Sequence, residues 1–175
     1  DDTSLAMLSC RAARELAVLT GPPALRGNDG QAIRRFAEAP GRKVICGSTT
    51  TDIAARELHR KATILTMDVS LDRPPEYRME GIDLITEGVV TLNQAMNLLE
   101  ADFDDYAMDD SPVFRLCQLL TEADAVTFYV GGGYNAAQYE DTLLRQLGVK
   151  PRQRIVRRIA EYLAAKGKLA VTVAI

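Results

Sequence analysis

One histidine and three cysteines are all that 175 residues offer toward imidazole or thiol chemistry. His59 stands beside Leu58, Arg60 and Lys61, at an expected helix end, with no neighbour to orient it as a base. Cys10, Cys46 and Cys117 are far apart in apolar surroundings and lack CxxC spacing, which argues against a zinc knuckle or disulfide framework and for buried, reduced thiols. Excess basic charge is missing as well. With 21 Lys and Arg against 24 Asp and Glu, a net charge of −3 and a pI of about 5.3, a general nucleic-acid face is not expected. No apolar run approaches the ~20 residues of a membrane span, and no stretch reads as a secretory signal, so the expectation is a cytoplasmic protein without a membrane partner. The Walker A, GxGxxG and GxSxG patterns are all absent, leaving no fingerprint for ATP, a dinucleotide or a hydrolase nucleophile.

What is present is an ordinary globular composition, 47% hydrophobic and 26% charged, in a chain long enough to bury a proper core. The organising stretch is Gly41 to Leu58. Val44, Ile45 and Cys46 read as a short strand, Gly47, Ser48 and three threonines as a small-residue turn, and Asp52 to Leu58 as a helix. Such a turn aims N–H groups and hydroxyls at a helix N-terminus, which suits a phosphate or a carboxylate.

The same rhythm extends on both sides. Arg14 to Thr20 predicts a strand stopped by Gly21-Pro22-Pro23, and Gln31 to Ala39 a helix stopped by Pro40-Gly41. Ala62 to Leu71 reads as a strand or a linker, and Gly81 to Gly88 as a buried strand. Thr91 to Gln94 has capping-box spacing and opens a helix with Leu92, Ala95, Met96 and Leu99 on one face. Glu100 to Asp110 carries six acidic residues but not the glycine and terminal glutamate of a calcium loop, so it reads as a solvated loop. Ser111-Pro112 supplies a cap and a first-turn proline. Ala125 to Val130 is the strongest strand signal and runs into Gly131-Gly132-Gly133-Tyr134-Asn135. A helix over 138–147 follows. Pro151 to Ala165 predicts a last helix with Arg152, Arg157 and Arg158 outward, and Leu169 to Ile175 a final strand. The alternation implies an α/β fold, three-layer and doubly wound, with a mostly parallel sheet and helices on both faces.

In such a sheet the carboxyl ends of the strands share one edge, where ligands bind. Four loops converge there in expectation, nominating Thr20, Gly21, Gly47, Ser48, Thr49, Thr50, Glu87, Gly88, Gly131, Gly132 and Asn135 as ligand-binding residues. Glu87 would recognise a ribose or an amine, or cap its own helix.

The ordered set Thr20 to Pro23, Val44 to Leu58, Gly81 to Leu92 and Val130 to Ala137 resembles the region that follows the phosphatase domain in bacterial serine/threonine phosphatases of the stage II sporulation protein E family, metal-dependent enzymes of type 2C (PPM). Asp1-Asp2-Thr3-Ser4-Leu5 is similar to the last metal-binding motif of their phosphatase domain. By that resemblance residues 1–13 are the last strand of a preceding phosphatase domain, and Asp1 and Asp2 belong to its Mn²⁺ or Mg²⁺ site. Residues 14–175 are then an accessory α/β domain, not itself catalytic. The chain opens without methionine and in mid-fold, so a fragment or a processed chain is the expectation. Ser48 stands where the family pattern has a second glycine, which narrows the expected cradle.

The resemblance implies regulation of phosphoserine or phosphothreonine removal from a protein substrate, through a small anionic ligand or a protein partner at the strand-end loops. Two other readings stand beside it. One is a free-standing doubly wound small-molecule enzyme or nucleotide-binding module, using Glu87, Thr49 and Thr50. The other is a dimerisation module that forms a homodimer.

Overall fold

Ala125–Val130, uninterruptedly apolar apart from Thr127, forms a largely buried interior strand in the computed structural model, which describes residues 3–65, 76–101, 110–133 and 148–175. Numbered along the chain, the strands are β1 (Glu15–Thr20), β2 (Arg42–Cys46), β3 (Thr63–Ile64), β4 (Glu76–Arg78), β5 (Leu84–Thr86), β6 (Ala125–Val130) and β7 (Leu169–Ala174). The helices are α1 (Asp29–Ala37), preceded by a 3₁₀ turn at Arg26–Asn28, α2 (Ser48–Leu58), α3 (Val89–Glu100), α4 (Pro112–Glu122) and α5 (Arg152–Ala165). One seven-stranded sheet runs in the order β3-β4-β5-β2-β1-β6-β7. The five strands from β5 to β7 are parallel, and β4 joins β5 and β3 antiparallel. The expected doubly wound α/β architecture is therefore what the chain builds.

Alternation along the strands decides the two layers. Leu16 and Val18 of β1, Val44 and Cys46 of β2, Leu84 of β5, and Val126, Phe128 and Val130 of β6 face α3, α4 and α5. Ala17, Leu19, Ile45, Ile85 and Tyr129 point the other way, toward Ile33 and Phe36 of α1 and Ala54 of α2. Phe36 meets Tyr129 edge to face, with centroids 5.9 Å apart. Parallel strands covered on both sides must be apolar on both sides, and β1 and β6 are.

Local signals place most boundaries. Ser111 caps α4 by accepting the Phe114 N–H at 3.2 Å, with Pro112 in the first turn. Asn93, buried on α3, anchors the segment around Lys150. Its Nδ2 donates to the Val89 and Lys150 carbonyls, at 2.8 and 3.0 Å, and its Oδ1 accepts the Lys150 N–H at 2.8 Å, fixing the chain that leads into α5.

Several expectations need correction. α2 starts at Ser48, four residues before Asp52, because Gly47 takes φ +123° and its carbonyl already accepts the Thr51 N–H at 2.9 Å. The threonine hydroxyls that favour a turn in isolation are satisfied inside the helix: Thr51 Oγ1 donates to Gly47 O, and Thr50 Oγ1 accepts from Gly21 N. α3 starts at Val89, so Thr91 is not its cap. Glu87 is, accepting the N–H groups of Val90 and Thr91 at 3.1 and 3.4 Å.

Residues 3–14 form no strand here and are exposed, with Cys10 among them, contrary to the buried-thiol expectation. The apolar run lacks a sheet partner among the described residues. β4, polar in Glu76 and Arg78, gave no strand signal and forms because β5 offers an edge. Where the acidic run begins, Arg158 of α5 pairs with Glu100, Nη2 donating to Oε2 at 2.6 Å. The rest of that run, 102–109, and the helix expected over 138–147 lie outside the described residues, as do Asp1 and Asp2.

Candidate functional site

The strand order turns back at β1: the chain moves outward through β2 to β5, then returns to β6 and continues to β7 on the opposite side. The loop after β1 leads to α1 on one face and the loop after β6 leads toward α5 on the other, so a crevice opens between them. It has a volume of about 810 Å³ and is lined from four strand ends, by residues of the segments 22–24, 46–50, 87–88 and 133, with Asp29, Asp52, Ile53, Arg56 and Arg152 completing it.

Contacts made chiefly by backbone groups hold these loops together. Gly131 N–H donates to Thr20 O at 2.9 Å and Gly133 N–H to Pro22 O at 2.9 Å, extending the β1–β6 ladder beyond the strands. The approach requires glycine at one place above all, since a Cβ on Gly131 would stand 2.1 Å from Pro22 O and 2.3 Å from Gly21 O. Gly21 N–H donates to Thr50 Oγ1 at 3.0 Å, tying the first loop to α2. Gly47 N–H donates to Thr86 O at 2.8 Å, and Gly88 lies so close that its Cβ would be 3.3 Å from Gly47 Cα.

Two helix N-termini thus open side by side, and they differ. At α3 the Glu87 carboxylate occupies the first-turn N–H groups, so the chain supplies its own anion there. At α2 the N–H groups of Ser48, Thr49 and Thr50 have no acceptor among the described residues, and all three residues line the crevice. Ser48 is exposed in the first turn, and the positive φ falls on Gly47, so the serine does not close the cradle.

Around this opening stand charges of both signs. Arg56 Nη2 donates to Asp29 Oδ2 at 2.6 Å and Nε to Glu57 Oε1 at 2.8 Å; Asp29 is 8% exposed and Arg56 60%. The Arg152 guanidinium packs on Gly21, where a Cβ would lie 2.2 Å from Nη1, and Nη1 reaches Gly133 O at 3.5 Å. This arginine, expected to point outward with the polar face of α5, instead turns into the strand-end edge because it sits in the first turn of a helix that starts beside the crevice.

Of the nominated residues, Gly47, Ser48, Thr49, Thr50, Glu87 and Gly88 line the crevice. Gly21 lies beneath Arg152 and Gly131 behind Pro22, both buried, while Gly132 is exposed outside it. Thr20 is fully buried and does not reach the crevice lining; its hydroxyl has no hydrogen-bond partner among the described residues. Asn135 lies outside the described residues. Asp29, Arg56 and Arg152 went unnominated because each reaches the crevice from a helix whose sequence pattern shows only a polar face.

Nucleophilic chemistry has little to work with. Cys46 lines the crevice, but burial first and the Glu87 charge second push its thiol up to about 12, and burial does the same for Cys117. Iodoacetamide at neutral pH is therefore expected to label Cys10 alone in the folded protein and all three cysteines in urea. Mass spectrometry of the native adduct decides it, and labelling at Cys46 would contradict the neutral thiol. Among the described residues no three of His, Cys, Asp and Glu come together as a metal site, and none has a helix long and apolar enough to cross a membrane. No family model, curated protein or solved structure matches the chain.

Proposed function

We propose that this domain binds a small anionic ligand, a phosphate or carboxylate compound, in the crevice, and that binding regulates a metal-dependent protein serine/threonine phosphatase. The observation that carries the ligand half is the contrast between the two adjacent helix N-termini. α3 is neutralised by Glu87, whereas α2 presents the N–H groups of Ser48, Thr49 and Thr50 to an 810 Å³ crevice flanked by Arg56 and Arg152. A nucleotide is one compound of this chemistry. With Cys46 neutral and Glu87 engaged in capping, the crevice is suited to holding a ligand rather than transforming it.

The phosphatase half rests on the resemblance alone. In that reading residues 1–13 close a preceding domain, Asp1 and Asp2 contribute to its Mn²⁺ or Mg²⁺ centre, and the phosphoprotein substrate binds there. By the same resemblance the remaining ligands of that centre belong to the upstream domain.

Thermal unfolding against inorganic phosphate, AMP and a dicarboxylate tests the first half. A ligand present at 100 times its Kd adds about 2.7 kcal/mol, which for a domain of this size raises Tm by roughly 5–10 °C. Ser48→Pro removes one first-turn N–H while suiting the helix start, and is expected to weaken binding about 10-fold or more with the fold intact. Absence of any shift, or unchanged binding by the proline variant, would overturn the site. The second half is tested in a longer protein carrying the upstream domain: Mn²⁺-dependent dephosphorylation should appear and should respond to the bound compound.

A further inference from the structure

The sheet ends in two edges of different make. β3 is only two residues long, Thr63 and Ile64, and so short an edge offers little backbone for pairing with another chain. β7 runs Leu-Ala-Val-Thr-Val-Ala, with no charge, proline or glycine.

Its pairing with β6 fixes which backbone groups are free. The N–H groups of Leu169 and Ile175 donate to the carbonyls of Asp124 and Val130, and the Ile175 carbonyl accepts from Gly132, so the odd-numbered residues face β6. Ala170, Thr172 and Ala174 therefore turn both N–H and C=O to the edge, where no strand of the described residues pairs with them. Half of one face of the strand is exposed as well. Leu169 and Val171 lie opposite Ala125 and Thr127, on the side of the sheet that carries α1 and α2, whereas α5 packs on the other side. Leu169 is 64% exposed and Val171 43%, while Val173 and Ile175 pack against the cluster of Phe36 and Tyr129.

We infer that β7 is a dimerisation edge, at which two copies of this chain pair antiparallel about a two-fold axis through Thr172, perpendicular to the sheet. The position of the axis follows from the free groups. Only with Thr172 opposite itself and Ala170 opposite the partner's Ala174 does every outward N–H and C=O meet a counterpart; an axis at Val171 would oppose residues already engaged with β6. The same register sets Val171 beside the partner's Val173 and Leu169 beside the partner's Ile175. The exposed half of each strand thus meets the half already packed in the other, and one apolar strip runs across both copies. A second copy is the occupant because the strand is its own complement in hydrogen bonding and in apolar pattern at once. This inference is independent of the crevice ligand.

Sedimentation and light scattering under reducing conditions, which remove any Cys10 disulfide, provide the test. The wild-type chain is expected to be a dimer. Thr172→Pro deletes an N–H that its own sheet does not use, and Val171→Lys places a charge on the strip. Each should raise the dimer dissociation constant at least ~100-fold, with the far-ultraviolet spectrum of the wild type. A wild-type monomer at high concentration, or a dimer that survives Thr172→Pro, overturns the inference. So does a dimer abolished by Leu5→Asp with Met7→Asp, because the exposed apolar segment that holds them, at 94% and 92%, would then be the contact.

Discussion

Phe128→Ala is expected to remove about 3–5 kcal/mol of stability, the range for truncating a fully buried aromatic side chain. Phe128 is 0% exposed at the centre of β6, on the face covered by α3, α4 and α5. Those helices approach it from different parts of the chain, so none can close the void without leaving its own strand. Against a total of roughly 5–15 kcal/mol for a domain, the loss brings unfolding within reach of mild heating. Urea titration measures it: the midpoint should fall with the slope unchanged. A change below about 1 kcal/mol would mean that the helical layer relaxes onto β6 and that this core is looser than its burial indicates.

The second large effect is expected at Gly131, where an alanine should cost about 3 kcal/mol, at the upper end for overpacking. Its Cβ would meet carbonyl oxygens, and those belong to the loop that shapes the crevice, so relief requires the ends of β1 and β6 to part. Gly132 provides the comparison. A Cβ there meets only Ala24 Cβ at 3.2 Å, and Gly132→Ala should be nearly neutral. Because the two positions are neighbours in one glycine run, thermal unfolding of both variants separates steric need from composition. Equal losses would show that the run matters for flexibility instead. Gly131→Ala should also abolish the ligand-induced rise in Tm, measured from the variant's own ligand-free transition.

Much of the architecture was legible because layers write themselves into sequence as period. β1, β6 and the apolar faces of α3, α4 and α5 alternate or recur as burial on two faces demands, and Ser111-Pro112 and Pro151 mark helix starts that the structure keeps. Less legible were elements whose cause is elsewhere in the chain. α2 begins early because Gly47 adopts a conformation natural to glycine and Gly21 claims the Thr50 hydroxyl, neither of which a local window contains. β4 exists because a neighbouring edge recruits it.

The site divides along the same line. Gly47 to Thr50 and Glu87-Gly88 were visible as small residues at strand ends, and they do converge. Glu87 resolved in favour of capping, since the nearest N–H groups to its carboxylate are those of its own helix. Arg56, Asp29 and Arg152 were hidden, for a charged residue on a polar helix face looks the same whether it meets water or a crevice. Thr20 was nominated by position alone, and the alternation that places Leu16 and Val18 inward carries it inward too.

The strand order has a consequence for biosynthesis. β1 is flanked by β2, 26 residues on in the Leu16 to Arg42 pair, and by β6, 110 residues on in the Glu15 to Ala125 pair. A ribosome delivers the first neighbour long before the second. For the time it takes to polymerise the roughly 80 residues between them, at about 5–20 residues per second, the middle strand of the parallel set has one flank unmatched. The half of the sheet made first therefore emerges with a temporary border, and the stretch from Ala125 to Val130 is what seals it.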